Sequence, residues 1–429
     1  VAELTGLSGW RYNSAKVSDP AEVTVPPYDV ISPAEQAAYQ AKNPYSFIRL
    51  ELPQDDPAHG LNKYENAAKT LQQWIHDGVL VHEEMPALYF YEQAFTIGNE
   101  RHRRLGFISA VRLEPWSAGV ILPHERTLAK PKADRMALME ATGAQLSPVF
   151  ALYEDQGDLA QLIRSATQGQ PNIDCTDEAG VQHRVWVRSA TSLVNEIREA
   201  LMSRTVVIAD GHHRYETALA YRDKLLAEGD LPMDHPARFV LMTLVSMADP
   251  GLVVLPTHRQ VFGLSPEKIQ GLLSALGSGW QVEKVEPSQL PERLNATEGP
   301  GHFGLILPEG GYLLSVTDWE LVDRAMPGMS DAYRRLDVAI LHRCLLEGML
   351  GIDQAAQAAQ TNLNYVKNDA DALSAVANGD VQAAFLLKFT PVESLVAVAK
   401  EGEVMPQKST FFYPKLRSGL VFHGLRPLG

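Results

Sequence analysis

Thr205-Val206-Val207-Ile208-Ala209-Asp210-Gly211-His212-His213-Arg214-Tyr215 is the stretch whose reading decides the fold. Thr205 to Ala209 are β-branched or small, which is the make-up of a short buried strand. A glycine follows the aspartate. Beyond it Tyr215, Ala218, Leu219, Arg222, Leu225 and Leu226 recur at helical spacing, so a helix begins within a residue or two of His213. Strand, tight turn, helix leaves backbone N–H groups and the positive end of a helix dipole facing one point. An Asp, two His and an Arg surround that point, which suits a phosphate, with or without a metal.

Adjacent histidines cannot face one side of a regular element, but in a turn both can reach one ligand. Zinc held by His212 or His213 with Asp210 and His258 is a competing reading. It lacks the i, i+4 histidine pair of dedicated zinc helices. A purely structural Asp-Gly turn capped by histidine is a second alternative.

Outward from this motif, Phe239 to Val245 reads as a strand buried on both faces. Gly251 to Pro256 reads as another, closed by a proline turn that carries His258 and Arg259. Two neighbouring strands ending in His/Arg pairs favour a pocket at a common edge. Upstream, Pro123-His124-Glu125-Arg126 ends a short apolar run, and Lys130, Lys132, Asp134 and Arg135 follow on a helix start. The region before it is a mixed α/β unit. Val23 to Ile31 reads as a strand broken by a proline pair, and Asn43 to Leu50 as a turn entering a strand. Ser32-Pro33-Ala34-Glu35 starts a helix, Tyr64 to Trp74 is an amphipathic helix, and 87–91 and 104–111 are strands. Arg101, Arg103 and Arg104 read as a solvated hairpin end. After residue 264 come a helix, a hairpin over 302–316, and a long helix over Ala332 to Leu350. A polar cluster at Met405 to Thr410 precedes a last strand, Phe411 to Tyr413.

The chain of 429 residues is too long for one ordinary core. The expected architecture is α/β with mixed, partly α+β, sheets in three parts. These are an N-terminal unit over 1–115, a phosphate-binding core over 116–263 with an insertion at about 154–204, and an α+β region over 264–429. Its net charge of −14 disfavours a nucleic-acid surface. No apolar run spans a bilayer and no signal pattern opens the sequence, so a cytoplasmic location is expected. Cys175 and Cys344 are too few for a disulfide framework or a thiolate metal site. P-loop, dinucleotide and Gly-x-Ser-x-Gly patterns are absent.

Asp210-Gly211-His212-His213-Arg214 after a strand resembles the phosphate-binding turn of the ParB and sulfiredoxin superfamily. Within it the sequence is most similar to the archaeal free-serine kinases. Those carry an upstream Pro-His-Glu, as at Pro123-His124-Glu125. They also carry a Gly-Glu-Val segment leading to Thr-Thr-type residues, as at Gly402-Glu403-Val404 and Lys408-Ser409-Thr410. From Tyr28 onward the chain also resembles a large bacterial and archaeal family of unknown function. The shared stretches are Pro-Pro-Tyr-Asp-Val, Asn-Pro-Tyr-Ser-Phe, Leu-Pro-Thr-His-Arg and Pro-Gln-Lys-Ser-Thr. The first 115 residues and a long insertion between Glu125 and Asp210 have no counterpart in the kinases. Phe411-Phe412 stands where the kinases place a histidine.

The kinase resemblance implies transfer of phosphate from ATP or ADP to the hydroxyl of free L-serine. Such transfer needs positioning, charge neutralisation and a base. Gly211, His212, His213 and Arg214 are then the phosphate-binding residues, and Asp210 holds Mg²⁺. Glu125 is the base, with His124 and Arg126 setting its ionisation. Lys408, Ser409 and Thr410 bind the transferred phosphate or the acceptor, and His258 and Arg259 the amino-acid carboxylate. Glu125, Asp210, His213 and Lys408 are expected in one cleft. Partners are a nucleotide and an amino acid, with no nucleic acid or membrane, and a homo-oligomer is compatible. The alternatives are a nucleotide hydrolase or phosphatase and a non-catalytic nucleotide-sensing ParB-like module.

Overall fold

The computed structural model describes residues 1–125, 129–155 and 157–428. It is a mixed α/β protein of two compact units. The first comprises Val1–Pro123, Thr127–Leu252 and Pro414–Gly429; the second comprises His124–Arg126 and Val253–Tyr413. The boundary expected near residue 115 falls inside the first unit. The reason is strand pairing: Glu100–Arg112 runs antiparallel to Phe239–Ser246, from Phe239 opposite Arg112 to Val245 opposite Gly106.

In chain order the main sheet of the first unit contains β1 (Leu4–Thr5), β2 (Leu88–Ile97), β3 (Glu100–Arg112), β4 (Ile121–Leu122) and β5 (Val149–Tyr153). It continues with β6 (Ile173–Thr176), β7 (Gln182–Arg188), β8 (Val206–Asp210) and β9 (Phe239–Ser246). Their spatial order is β4-β8-β5-β9-β3-β2-β7-β6, with β1 on β3. Only the β4–β8 and β5–β9 pairs are parallel among these. Val206 and Ile208 are fully buried with Phe90, Phe107, Tyr153 and Tyr215 in one core. Each such side chain contributes about 1.5–3 kcal/mol by leaving water.

The helices of this unit include α1 (Pro33–Lys42), α2 (Lys63–His76), α3 (Ala129–Thr142) and α4 (His212–Glu228). The Ser32 and Glu35 side chains close a reciprocal capping box on α1, as their spacing foretells. α2 buries Ala67, Leu71 and Trp74 beside Phe47 and Phe422 in a second core. Two expected strands are absent. Val25 makes a single bridge to Ser418, and Tyr28–Val30 is a 3₁₀ turn, because Pro26 and Pro27 cannot donate to a ladder. Ile48–Glu51 is a helical turn whose Ile48, Leu50 and Glu51 are all buried, so burial on every side overrode strand propensity.

The second unit is organised by β10 (Val253–Leu255), β11 (His258–Val261), β12 (Trp280–Val285), β13 (His302–Leu307), β14 (Gly310–Val316), β15 (Leu363–Val366), β16 (Ala383–Leu386) and β17 (Phe411–Tyr413). An antiparallel sheet runs β12-β14-β13-β16-β11-β15, while β10 pairs with β17. Val253–Leu255 therefore lies outside the sheet that holds β9, contrary to the common-edge expectation. The long helix expected over Ala332 to Leu350 is broken. Leu336 is extended, with ψ 123°, and Asp337 accepts the Gly301 N–H at 2.6 Å. A π-helical segment, Leu341–Glu347, follows and buries His342 along with Leu341, Cys344, Leu345 and Leu346. No helix among the described residues is long and apolar enough to cross a membrane.

Candidate functional site

The turn after β8 sits in the first unit. A register irregularity between Ile208 and Asp210 adds a residue to β8 opposite β5. Such a bulge shifts the side-chain alternation and re-aims Asp210 at the strand's end. Gly211 then takes φ 89°, and α4 begins at His212. A Cβ at Gly211 would lie 2.8 Å from the Arg214 guanidinium, so the position requires glycine twice over.

Asp210 is clamped. Its Oδ2 accepts from Arg214 Nη2 at 2.8 Å and its Oδ1 from Lys415 Nζ at 2.9 Å. Burial would raise the Asp210 carboxyl, but Lys415 and Arg214 outweigh it and hold the group well below the usual carboxylate range. His212 is buried and His213 half-buried at the helix start. Arg104, read from sequence as part of a solvated hairpin end, is buried instead. It donates to Gln93 Oε1 and the Pro414 carbonyl, and its guanidinium lies 4.9 Å from the Phe150 ring centre. Burial brings its pKa down to about 10. Gln93 Nε2 in turn donates to the Lys415 carbonyl at 3.0 Å. These two side chains hold the segment that carries Lys415 to Asp210.

Behind the turn lies a cavity of about 40 Å³ lined by Glu51, Arg135, Ser147 and Arg214, among others. Arg135 donates to the Glu51 carbonyl at 2.8 Å and lies over the Tyr28 ring at 4.1 Å. The Tyr28 N–H reaches Glu51 Oε1 at 3.3 Å. Burial raises the Glu51 carboxyl, against the pull of Arg135 and Arg214. The Pro-Pro-Tyr-Asp-Val stretch thus buttresses the Arg214 side of the turn, a role its local sequence does not disclose.

The second unit gathers the remaining candidates. His124 is fully buried, and its Nε2 is 3.0 Å from Thr410 Oγ1. The Met405 N–H donates to the His124 carbonyl at 2.7 Å, and Glu125 bridges Met405 as a parallel partner. Glu125 Oε1 accepts the Lys408 N–H at 3.2 Å. Lys408 has φ 57°, a left-handed conformation uncommon outside glycine, and its side chain is exposed. Ser409 is buried with its hydroxyl on the Pro406 carbonyl. Arg126 lies outside the described residues.

His258 and Arg259 were expected in a turn facing a carboxylate. Both are in β11 and almost wholly buried. His258 Nδ1 accepts the Leu387 N–H at 3.2 Å, and its Nε2 is 3.0 Å from Asp369 Oδ1. Arg259 donates to His342 Nε2 at 3.2 Å, to the Thr257 carbonyl, and to the Lys408 carbonyl at 3.1 Å. Burial lowers Arg259 to about 10, and burial with the Arg259 charge holds His342 neutral, so its Nε2 can accept. These side chains brace the Lys408 turn from below. Sequence reasoning missed His342, whose only signal was a polar residue on an otherwise apolar helix pattern.

A metal does not fit Asp210 as a direct ligand, because each of its oxygens already accepts from a cation. Among the described residues no group of three His, Cys, Asp or Glu side chains is placed to hold a metal ion, zinc included. Cys175 and Cys344 are free and buried.

The family described as Protein of unknown function (DUF1015) matches residues 4–339. The chain belongs to this family. No curated protein matches the DUF1015 chain. Among solved structures it is similar to a conserved hypothetical protein from Pyrococcus furiosus, with 16% identity and a TM-score of 0.35 over 70% of this chain and 90% of that one. A free serine kinase in complex with ADP gives 14%, 0.36, 68% and 84% in the same terms. A C-terminally truncated SbnI from Staphylococcus aureus gives 10%, 0.34, 72% and 85%.

Proposed function

We propose that the protein is a phosphotransferase that moves a phosphoryl group from ATP or ADP to the hydroxyl of a small molecule, free L-serine being the acceptor. The observation that carries this reading is the turn at Asp210. Gly211 is left-handed, a 17-residue helix opens at His212, and Arg214 and Lys415 concentrate positive charge beside it. The positive end of a helix dipole together with held cations suits the phosphates of a nucleotide. In this reading Gly211, His212, His213 and Arg214 receive those phosphates, and Asp210 orients Arg214 and Lys415 rather than a metal.

The acceptor oxygen attacks the terminal phosphorus, the bond to the leaving nucleotide oxygen breaks, and the hydroxyl proton passes to the Glu125 carboxylate. Lys408 supplies charge to the transferred group. His124, through Thr410, and Arg259, through the Lys408 carbonyl, are positioning residues. The resemblance of the central motif to the ParB and sulfiredoxin superfamily supports the same assignment. The net charge of −14 favours a small anionic ligand held in a local basic pocket over nucleic acid.

The test is to incubate the purified protein with ATP or ADP and each amino acid, and to follow phosphorus by NMR. O-phosphoserine formed only when serine is added is the expected result. Nucleotide turnover indifferent to amino acids would make the protein a hydrolase. Tight binding without turnover would make it a sensing module.

A further inference from the structure

With His258 and Arg259 buried in β11, the acceptor's carboxylate has no holder among the residues expected for it. A cleft within the second unit, about 150 Å³ in volume, offers one. Arg343, Tyr365, Met405, Pro406 and Gln407 are among its lining residues. Its volume is that of about five molecules of liquid water, which suits an amino acid and not a nucleotide. Met405 pairs with Glu125 across a bridge, and Gln407 precedes Lys408, whose N–H Glu125 accepts. One wall is therefore the backbone that carries the base and the cation of the transfer.

Arg343 is the one charged residue among those described as lining the cleft, since His342 is held neutral. It stands on the π-helical segment Leu341–Glu347, a geometry that recurs at functional sites. Its side chain is 29% exposed, and its Nη1 donates to Glu347 Oε2 at 2.8 Å. With the Gln354 amide turned to satisfy both of its ends, the Gln354 oxygen accepts from Nη1 and, at 3.1 Å, from Nη2. These two bonds fix the plane of the guanidinium and leave its Nε–Nη2 edge without an acceptor among the described residues. Two parallel N–H groups on that edge match the two oxygens of a carboxylate. The Tyr365 hydroxyl and the Gln407 amide make no hydrogen bond with described residues either. Both carry lone pairs that suit an ammonium group. One cation with a few uncharged polar groups on otherwise apolar walls is the make-up of a small-molecule site.

We propose that this cleft takes the acceptor amino acid, with its α-carboxylate on the Nε–Nη2 edge of Arg343. Naming the ligand as the acceptor rests on the phosphotransferase reading; its binding at Arg343 does not.

The probes are L-serine and serinol, which keeps the amine and the hydroxyl but replaces the carboxylate with a second hydroxymethyl group. The intact protein is titrated with each by calorimetry. Serine should bind about tenfold or more tightly than serinol, the worth of a charge-assisted pair. Arg343→Gln should abolish that preference and Arg343→Lys restore part of it, with serinol affinity little changed in both. In the transfer assay Arg343→Gln should raise the KM for serine about tenfold with kcat within a few fold. Equal affinity for the two probes in the wild-type protein, or a serine preference that survives Arg343→Gln, would overturn the proposal. Serine bound through Arg343 without transfer would keep the cleft and remove the phosphotransferase reading. Transfer to serine with KM unchanged in Arg343→Gln would do the reverse.

Discussion

At the scale of single residues, the two carboxylates assigned to the chemistry differ in surroundings, and so should their variants. Glu125 is half-buried and accepts a backbone N–H. Glu125→Gln keeps its size and an acceptor oxygen but cannot take a proton. Phosphoryl transfer should fall by roughly 10²–10⁴, the usual worth of a positioned base, with nucleotide affinity within a few fold. Undiminished transfer would remove Glu125 from the mechanism. Asp210 is the opposite case, a carboxylate held ionised by two cations. Its folded pKa is depressed, so its stabilisation is present in full above the ordinary carboxylate range and is lost only as pH falls through the lower folded value. Lys415→Met should cost about 1–3 kcal/mol near neutral pH and shift the acid loss of stability upward in pH. Urea midpoints measured across the acid range would show this, and an unchanged acid limb would refute it. Asp337 has the reverse sign. Burial raises it to about 6, so its ionisation erodes stability as pH rises through that value. Asp337→Asn should therefore raise the melting temperature at pH 8 relative to wild type and do little at about pH 3, below the ordinary carboxylate value.

At the scale of elements, two turns hold left-handed residues, one a glycine and one not. Gly211→Ala meets both the φ 89° backbone and the Arg214 guanidinium, and should cost about 1–3 kcal/mol in denaturant unfolding. Lys408→Gly removes comparable strain at φ 57° while adding freedom to the unfolded chain, so its stability should stay within about 1 kcal/mol of wild type. Transfer activity should nevertheless drop, because the ammonium goes with the side chain. A Lys408→Gly protein of unchanged activity would mean that this lysine has no part in the chemistry. The π-helical segment at Leu341–Glu347 has a similar logic. It is a costly geometry that here accompanies a neutral His342 bonded to Gln357 Oε1 at 2.7 Å and to Arg259.

At the scale of the whole molecule, the last residues return to the first unit. Pro414 receives Arg104, Lys415 reaches Asp210, and Phe422 packs against Phe47 with ring centres 5.9 Å apart. A chain ending at Tyr413 should lose at least the roughly 3–5 kcal/mol of a deleted core phenylalanine. It should melt well below the full-length protein; equal melting would contradict this account. What the sequence alone determined was local: the strand and helix around Asp210-Gly211, the buried run of β9, the capped start of α1 and the hairpin of β13 and β14. In each, neighbouring residues carry the propensity, the periodicity and the stop signal. Only the tertiary structure decided that Arg104 is buried, since its partners lie at Gln93 and Pro414. The same holds for the clamp on Asp210 from Lys415, the support of Arg214 by Tyr28 and Glu51, and the pairing of Val253–Leu255 with Phe411–Tyr413. It also holds for the broken helix near Leu336. These features depend on partners tens to hundreds of residues away, and burial among such partners outweighs the weak preferences a local window can register.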